Sequence, residues 1–339
     1  MNHKMKYWLR YLFFLLVITI IMGISLIHVF EYSRLKKLYA DTLMQKDSLA
    51  IAVRKHNAGK TIWWEEHPNG SFKKYYNNFG FVQYDSTAVQ KKEGYKRILI
   101  TGDSHTDGVV DVTENFCTLL QDSLKRLNQK VELLNAGTGN YSFVNYRGIL
   151  KKNLFLHPDE FWIMVYTGND FIENVLYDFH WYNPVQSLRQ FRARLGWRYQ
   201  YPVLYNNQSL TQVFYFSLYP KQKEQSVKET FRAVDEIADV CNRNHIRLRF
   251  VLLTTDFDID PAYRKKVQSA CGFTDNQINT NRWFAAQLSE YCRQKNIFCF
   301  DVQPVLSKIN GTMFYPIDHH LNPYGNKVLS ETLLPLFLK

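Results

Sequence analysis

A chain of 339 residues that is 46% hydrophobic and 22% charged has the composition of a globular protein, with enough apolar material for a sizeable core. Its net charge of +11 points to an anionic neighbour, either membrane head groups or an acidic polymer. Zinc-ligand spacing, a basic helix and an RNP-like strand are all missing from the sequence, which sets nucleic acid aside as a partner.

The chain begins with an apolar run. From Tyr11 to Phe30 there is no Asp, Glu, Lys or Arg. Twenty apolar residues at about 1.5 Å rise match a hydrocarbon core of roughly 30 Å. The flank Ser25-Leu26-Ile27-His28-Val29-Phe30-Glu31 offers no small-residue cleavage site, so the segment reads as an uncleaved anchor. Residues 1–10 then form a cytoplasmic tail and 11–30 the transmembrane anchor. Lys4, Lys6 and Arg10 ahead of the span nearly balance Arg34, Lys36 and Lys37 behind it. The periplasmic or extracytoplasmic placement of the large domain rests on the shortness of the tail instead.

Residues 31–95 read as a juxtamembrane helix and an irregular lead-in that contains Trp63 and Trp64. A domain spanning 96–339 follows. Its strand candidates are Arg97–Thr101, Val131–Asn135, Phe161–Thr167, Ile246–Thr254 and Ile297–Val302, continuous apolar runs of the kind buried on both faces. Helical stripes lie between them, at Phe116, Leu119, Leu120, Leu124 and Leu127, at Val227, Phe231, Val234, Ala238 and Cys241, and at Phe284, Leu288 and Tyr291. Asn322 and Pro323 are the expected cap and first turn of the last helix. Such alternation predicts an α/β fold of three α/β/α layers, flavodoxin-like, around a parallel sheet of about five strands.

One stretch breaks the rhythm. About fifty residues from Phe171 to Lys221 carry roughly fourteen aromatics together with Arg189, Arg192, Arg194 and Arg198. A crossover is normally much shorter, so 171–225 reads as an insertion over the carboxyl ends of the strands. Trp181, Tyr182, Arg192 and Trp197 are its candidate substrate-binding residues, able to stack on sugar rings, line an acyl groove or simply pack on one another. The five cysteines, Cys117, Cys241, Cys271, Cys292 and Cys299, read as small buried hydrophobes. Their number leaves room for one disulfide and at least one free thiol.

Four motifs carry the chemistry. Gly102-Asp103-Ser104, Asn135-Ala136-Gly137-Thr138-Gly139-Asn140 and Gly168-Asn169-Asp170 close the first three strands, and Asp318-His319-His320-Leu321-Asn322-Pro323 opens the last helix. Ligands of open α/β sheets bind at the carboxyl ends of the strands, where three of these motifs fall. A serine hydroxyl needs a base within hydrogen-bond reach, and His320 supplies it, held in the correct tautomer by Asp318. His319 and His105 are the rivals, disfavoured because adjacent side chains point apart. Oxyanion donors are expected from the Ser104 backbone, from the Asn169 amide, and from Gly139 or Asn140 in a loop of positive φ. Asp170 is expected to be structural.

Through Ser104, Gly139 or Asn140, Asn169 and His320, the sequence resembles the SGNH hydrolases, the GDSL esterase/lipase family, from about Asn78-Phe79-Gly80-Phe81 to the C-terminus. Two departures stand out. The acid precedes His320 by two residues instead of three, where Ile317 stands, and Asn140 occupies a position expected to be glycine. The resemblance implies hydrolysis or transfer of an O-acyl group through an acyl-Ser104 intermediate, with no metal and no organic cofactor. The expected substrate is an acylated, above all O-acetylated, glycan or envelope polymer. An O-acyltransferase with the same triad, and a silent SGNH-fold binding module, are the alternatives.

Overall fold

The structure is a computed structural model that describes residues 3–38, 56–65, 67, 70–177 and 207–338. In chain order its strands are β1 (Thr61–Trp64), β2 (Phe72–Tyr75), β3 (Lys96–Gly102), β4 (Val131–Asn135), β5 (Glu160–Tyr166), β6 (Arg247–Leu253) and β7 (Phe298–Asp301). The last five form one sheet in the order β4-β3-β5-β6-β7. Every neighbouring pair in it is parallel. This is the doubly wound architecture expected from the sequence, with each strand within a residue or two of its predicted bounds.

The apolar runs are continuous because the strands are covered on both faces. Along β5, Phe161, Ile163 and Val165 enter one core, shared with Leu99, Phe250 and Leu252. Trp162, Met164 and Tyr166 enter the other, with Ile98, Ile100, Val251 and Leu253. Helices Phe143–Lys152, Asp170–Tyr177, Gln208–Leu218, Pro220–Arg243 and Thr280–Gln294 cover the first face. Helices Phe116–Arg126 and Pro323–Phe337 cover the second. Asn322 caps the latter by accepting from the Gly325 N–H, with Pro323 in its first turn. The five cysteines are free thiols, four buried and Cys299 half-buried.

Three regions differ from the expectation. Much of what reads as an insertion is structural. Phe171, Ile172 and Val175 follow β5 directly into the core, and Tyr215 and Phe216 join them from the helix Gln208–Leu218. Tertiary packing claims Phe171, Tyr215 and Phe216 for a helical layer. Trp181, Tyr182, Arg192 and Trp197 lie outside the described residues. The stripe on Pro220–Arg243 is also rotated, with Ala233, Val234, Ile237, Val240 and Cys241 buried while Phe231 stacks on Tyr291 at 3.8 Å between centroids.

The third difference is at the N-terminus. One helix runs from His3 to Leu38, joining the predicted tail, anchor and start of the juxtamembrane segment. Its stretch Lys4–Phe30 contains 18 consecutive residues of mean hydropathy 2.7, none of them buried among the described residues, which makes it long and apolar enough to cross a membrane. The lead-in holds one regular element, a short hairpin. β1 and β2 pair antiparallel, matching Trp64 with Phe72 and Ile62 with Lys74. Beyond them Asn77 Oδ1 accepts the Phe79 and Phe81 N–H groups, and the Val82 N–H donates to Asn135 O at 2.8 Å, beside the end of β4.

A buried ion cluster fastens this lead-in to the domain. Lys74 Nζ lies 2.8 Å from Asp107 Oδ2, and both side chains are less than a tenth exposed. His56 Nε2 stands 3.4 Å from the other oxygen and 3.3 Å from Gly137 O. Burial alone would raise the Asp107 carboxyl, but Lys74 and His56 outweigh it and hold the group well below the usual carboxylate range. A depressed folded-state value stabilises the fold above the unfolded value, 3.8, and that contribution fades as pH falls through this region. Asp107→Asn should therefore destabilise the chain by about 3–5 kcal/mol at neutral pH, because it strands Lys74. In detergent, unfolding by urea should show the gap from wild type closing below roughly pH 4. A gap that stayed constant down to pH 3 would contradict the assignment.

Candidate active site

The nucleophile candidate sits where β3 turns into the short helix Ser104–Asp107. Gly102 permits that turn, since a Cβ there would collide with Thr106 Oγ1 and come within 2.7 Å of Met164 O. Asp103, fully buried, caps the helix by accepting the His105 N–H at 2.9 Å. Burial, reinforced by Asp107, pushes its carboxyl up to about 7, against the opposing pull of that N–H and of His320.

The imidazole arrives on a tight turn. Phe314 bridges Leu321, Tyr315 N donates to His320 O at 2.9 Å, and His319 N donates to Tyr315 O at 3.2 Å. At the apex His319 takes a left-handed conformation, φ 61°. Its neighbours then meet on one side while its own ring leaves on the other. His319 Nδ1 contacts Asp256 Oδ2 at 2.5 Å, whereas His320 Nε2 lies 2.7 Å from Ser104 Oγ. Asp318 Oδ1 accepts the His320 N–H at 3.1 Å, and its Oδ2 lies 3.3 Å from His320 Nδ1. That last pair is within ion-pair distance. Catalytic hydrogen bonds often tighten only with substrate bound.

His105 forms a wall behind His320. Its ring stacks on Tyr166 at 3.7 Å and lies 4.8 Å from the His320 ring. Burial, then the neighbouring His320, keeps His105 well below the ordinary histidine range and hence uncharged.

The remaining motifs occupy the same sheet edge. After β4, Thr138 N donates to Gly102 O at 3.0 Å, and a Cβ on Gly139 would stand 3.7 Å from Ser104 Cβ. This loop thus runs past the nucleophile. Positive φ falls on Asn140, at 63°. Asn169 follows β5 and is buried, with Nδ2 donating to Glu173 Oε1 at 3.1 Å. A carboxylate is acceptor-only, so Glu173 decides which end of that amide is the nitrogen. Asp170 Oδ2 accepts the Tyr146 hydroxyl at 2.6 Å and the Tyr166 N–H at 3.0 Å. Burial, with Asp103 and Glu173 adding, raises its carboxyl well above the usual range.

Several groups around the site carry no motif. His56, His67 and Lys74 come from the lead-in, and no sequence pattern flags them. Asp256 was findable, because it stands three residues past the end of β6, at the sheet edge where ligands bind. Among the described residues no group of three or more His, Cys, Asp or Glu side chains is arranged to hold a metal ion.

No family model matches the chain, and no curated protein does. Solved structures similar to it include an acetyl xylan esterase, AlAXEase, at 13% identity over 71% of this chain and 98% of that one, with a TM-score of 0.45. A member of the lipolytic protein G-D-S-L family from Veillonella parvula is 14% identical over 72% and 99%, with a TM-score of 0.42. A GDSL-like lipase from Bacteroides thetaiotaomicron is 12% identical over 74% and 92%, with a TM-score of 0.41. At these identities and scores, what the site can do is read from its own geometry.

Proposed function

We propose that this chain is a membrane-anchored serine esterase of the SGNH type, cleaving O-acyl, above all O-acetyl, esters on glycans or envelope polymers. The observation that carries this reading is the 2.7 Å contact between Ser104 Oγ and His320 Nε2, with Asp318 behind the imidazole. The apolar helix and the net charge of +11 support a workplace at an anionic surface. The polymer preference rests on that charge and on the aromatic, arginine-rich sequence between Phe171 and Lys221.

Chemistry then follows from the placement of groups. As Ser104 Oγ attacks the ester carbonyl carbon, its proton passes to His320 Nε2. Asp318 stabilises the imidazolium and fixes the tautomer with the proton on Nδ1. The oxyanion takes hydrogen bonds from the Ser104 N–H, the N–H of Gly139 or Asn140, and the Asn169 amide. Collapse breaks the bond to the alcohol oxygen, which leaves with the proton from His320 and yields acyl-Ser104. Water, deprotonated by the same imidazole, attacks the acyl carbon and releases the carboxylic acid and the free serine.

With p-nitrophenyl acetate as substrate, Ser104→Ala and His320→Ala should each lower kcat by about 10³-fold or more. Ser104→Ala should also abolish covalent labelling by a fluorophosphonate. Equal turnover by wild type and Ser104→Ala would end the esterase reading in favour of a silent binding module. Because the base must be neutral, kcat/KM should rise with pH and then level off. A profile that is level from about pH 5 to 8 would remove His320 from that role. On an acetylated glycan, free acetate is the expected product, and acetyl appearing on a second sugar instead would make the enzyme a transferase.

A further inference from the structure

Two consecutive histidines leave one turn in different directions. His320 Nε2 reaches Ser104 Oγ, with Asp318 beside its ring and His67, from the connection between β1 and β2, 3.3 Å from Asp318 Oδ2. His319 goes the other way, and its Nδ1 meets Asp256 Oδ2 at 2.5 Å, with both side chains a tenth exposed or less. A carboxylate only accepts, so Nδ1 carries the proton and donates it. The Tyr263 ring lies nearly parallel to that of His319, 10° between planes and 6.0 Å between centroids.

Asp256 is itself held in place. It stands at the turn after β6, where its Oδ1 accepts the Phe257 N–H at 2.8 Å, and the Asn207 amide donates to its two oxygens at 3.3 Å each. Asn207 is fully buried and caps the helix Gln208–Leu218 by accepting the Ser209 and Leu210 N–H groups. Through one carboxylate, the His319 ring is thereby tied both to the sheet edge and to the helical layer.

Residue 319 needs such a hold. At φ 61° its Cβ crowds the following carbonyl oxygen, a conformation that glycine adopts freely and histidine only at a cost. The two backbone bonds that close the turn, Tyr315 N–H to His320 O and His319 N–H to Tyr315 O, straddle this residue. A right-handed apex would redirect the chain at 320, break both bonds and swing the imidazole off Ser104. We propose that His319 is a positioning residue whose bond to Asp256 holds the left-handed apex and so aims His320 at Ser104. This rests on the serine esterase reading and deepens it, since the turn after β6 then takes part in building the site.

Two replacements separate the bond from the backbone strain. His319→Ala removes the ring and keeps a Cβ at the strained apex, whereas His319→Gly removes both. In the full chain in detergent, with p-nitrophenyl acetate, His319→Ala should lower kcat about tenfold or more, with KM little changed. His319→Gly should run several-fold faster than His319→Ala, because glycine tolerates the left-handed turn without an anchor. Asp256→Ala should match His319→Ala, and the two together should do little more than either alone, since each removes the same bond. In a His320→Ala background, His319→Ala should leave the residual turnover unchanged, an outcome that a general loss of structure would not give. Wild-type kcat in His319→Ala, a glycine variant no faster than the alanine one, or a further fall in the His320→Ala background would each overturn the proposal. Ser104→Ala with unimpaired turnover would instead strike the esterase reading itself.

Discussion

A hydroxyl and an imidazole 216 positions apart in the chain meet at 2.7 Å, and everything else about the site depends on that contact. It is possible because five strands all point the same way. Their carboxyl ends share one edge, so the turn after β3, the loop after β4 and the amide after β5 arrive together without long connections. The imidazole comes from the opposite end of the domain's sequence, yet the helix Pro323–Phe337 packs against Phe116–Arg126 and brings its leading turn over the same edge. The left-handed residue at 319 does the final aiming, dividing two consecutive histidines between two different acids.

Charge near the nucleophile is handled unevenly. Among the described residues neither Asp103 nor Asp170 is paired with a lysine or arginine, and burial pushes both carboxyls upward, towards the protonated form. Asp107, one turn away, has Lys74 and His56 beside it and is pushed the other way. An oxyanion forming above Ser104 would be opposed by ionised carboxylates in a low-dielectric setting. Pushing two of them towards the protonated form and placing counter-charges beside the third weakens that opposition. Glu173 has a different task, because the Asn169 amide can offer a donor only if its nitrogen is held in a known orientation.

The sheet was legible in the sequence because strands buried on both faces must be apolar throughout, and Ile98-Leu99-Ile100 or Trp162-Ile163-Met164 leave little else to be. The turn motifs were legible for a related reason. Gly102 has no room for a Cβ, and the positive-φ loop after β4 admits only residues that tolerate it. The β1–β2 hairpin was not legible. Its Phe72-Lys73-Lys74-Tyr75 strand buries a lysine, and nothing in residue type announces that an aspartate 33 positions later will neutralise it. For the same reason His67 is silent in sequence, since its partner lies at the far end of the domain. The role of the helix Gln208–Leu218 was not decided by its sequence, because aromatic density looks the same in a core layer as on a binding surface.

The reach of the lead-in into the domain has a practical corollary. A fragment trimmed to begin at the first strand of the large sheet would look complete by pattern, yet it would discard the side chains at 56, 67 and 74. An aspartate beside the nucleophile would lose both its counter-charges, and the acid behind the base would lose its outer neighbour. The shortest stretch able to keep the site whole therefore starts no later than His56, well ahead of where the strand-helix rhythm sets in.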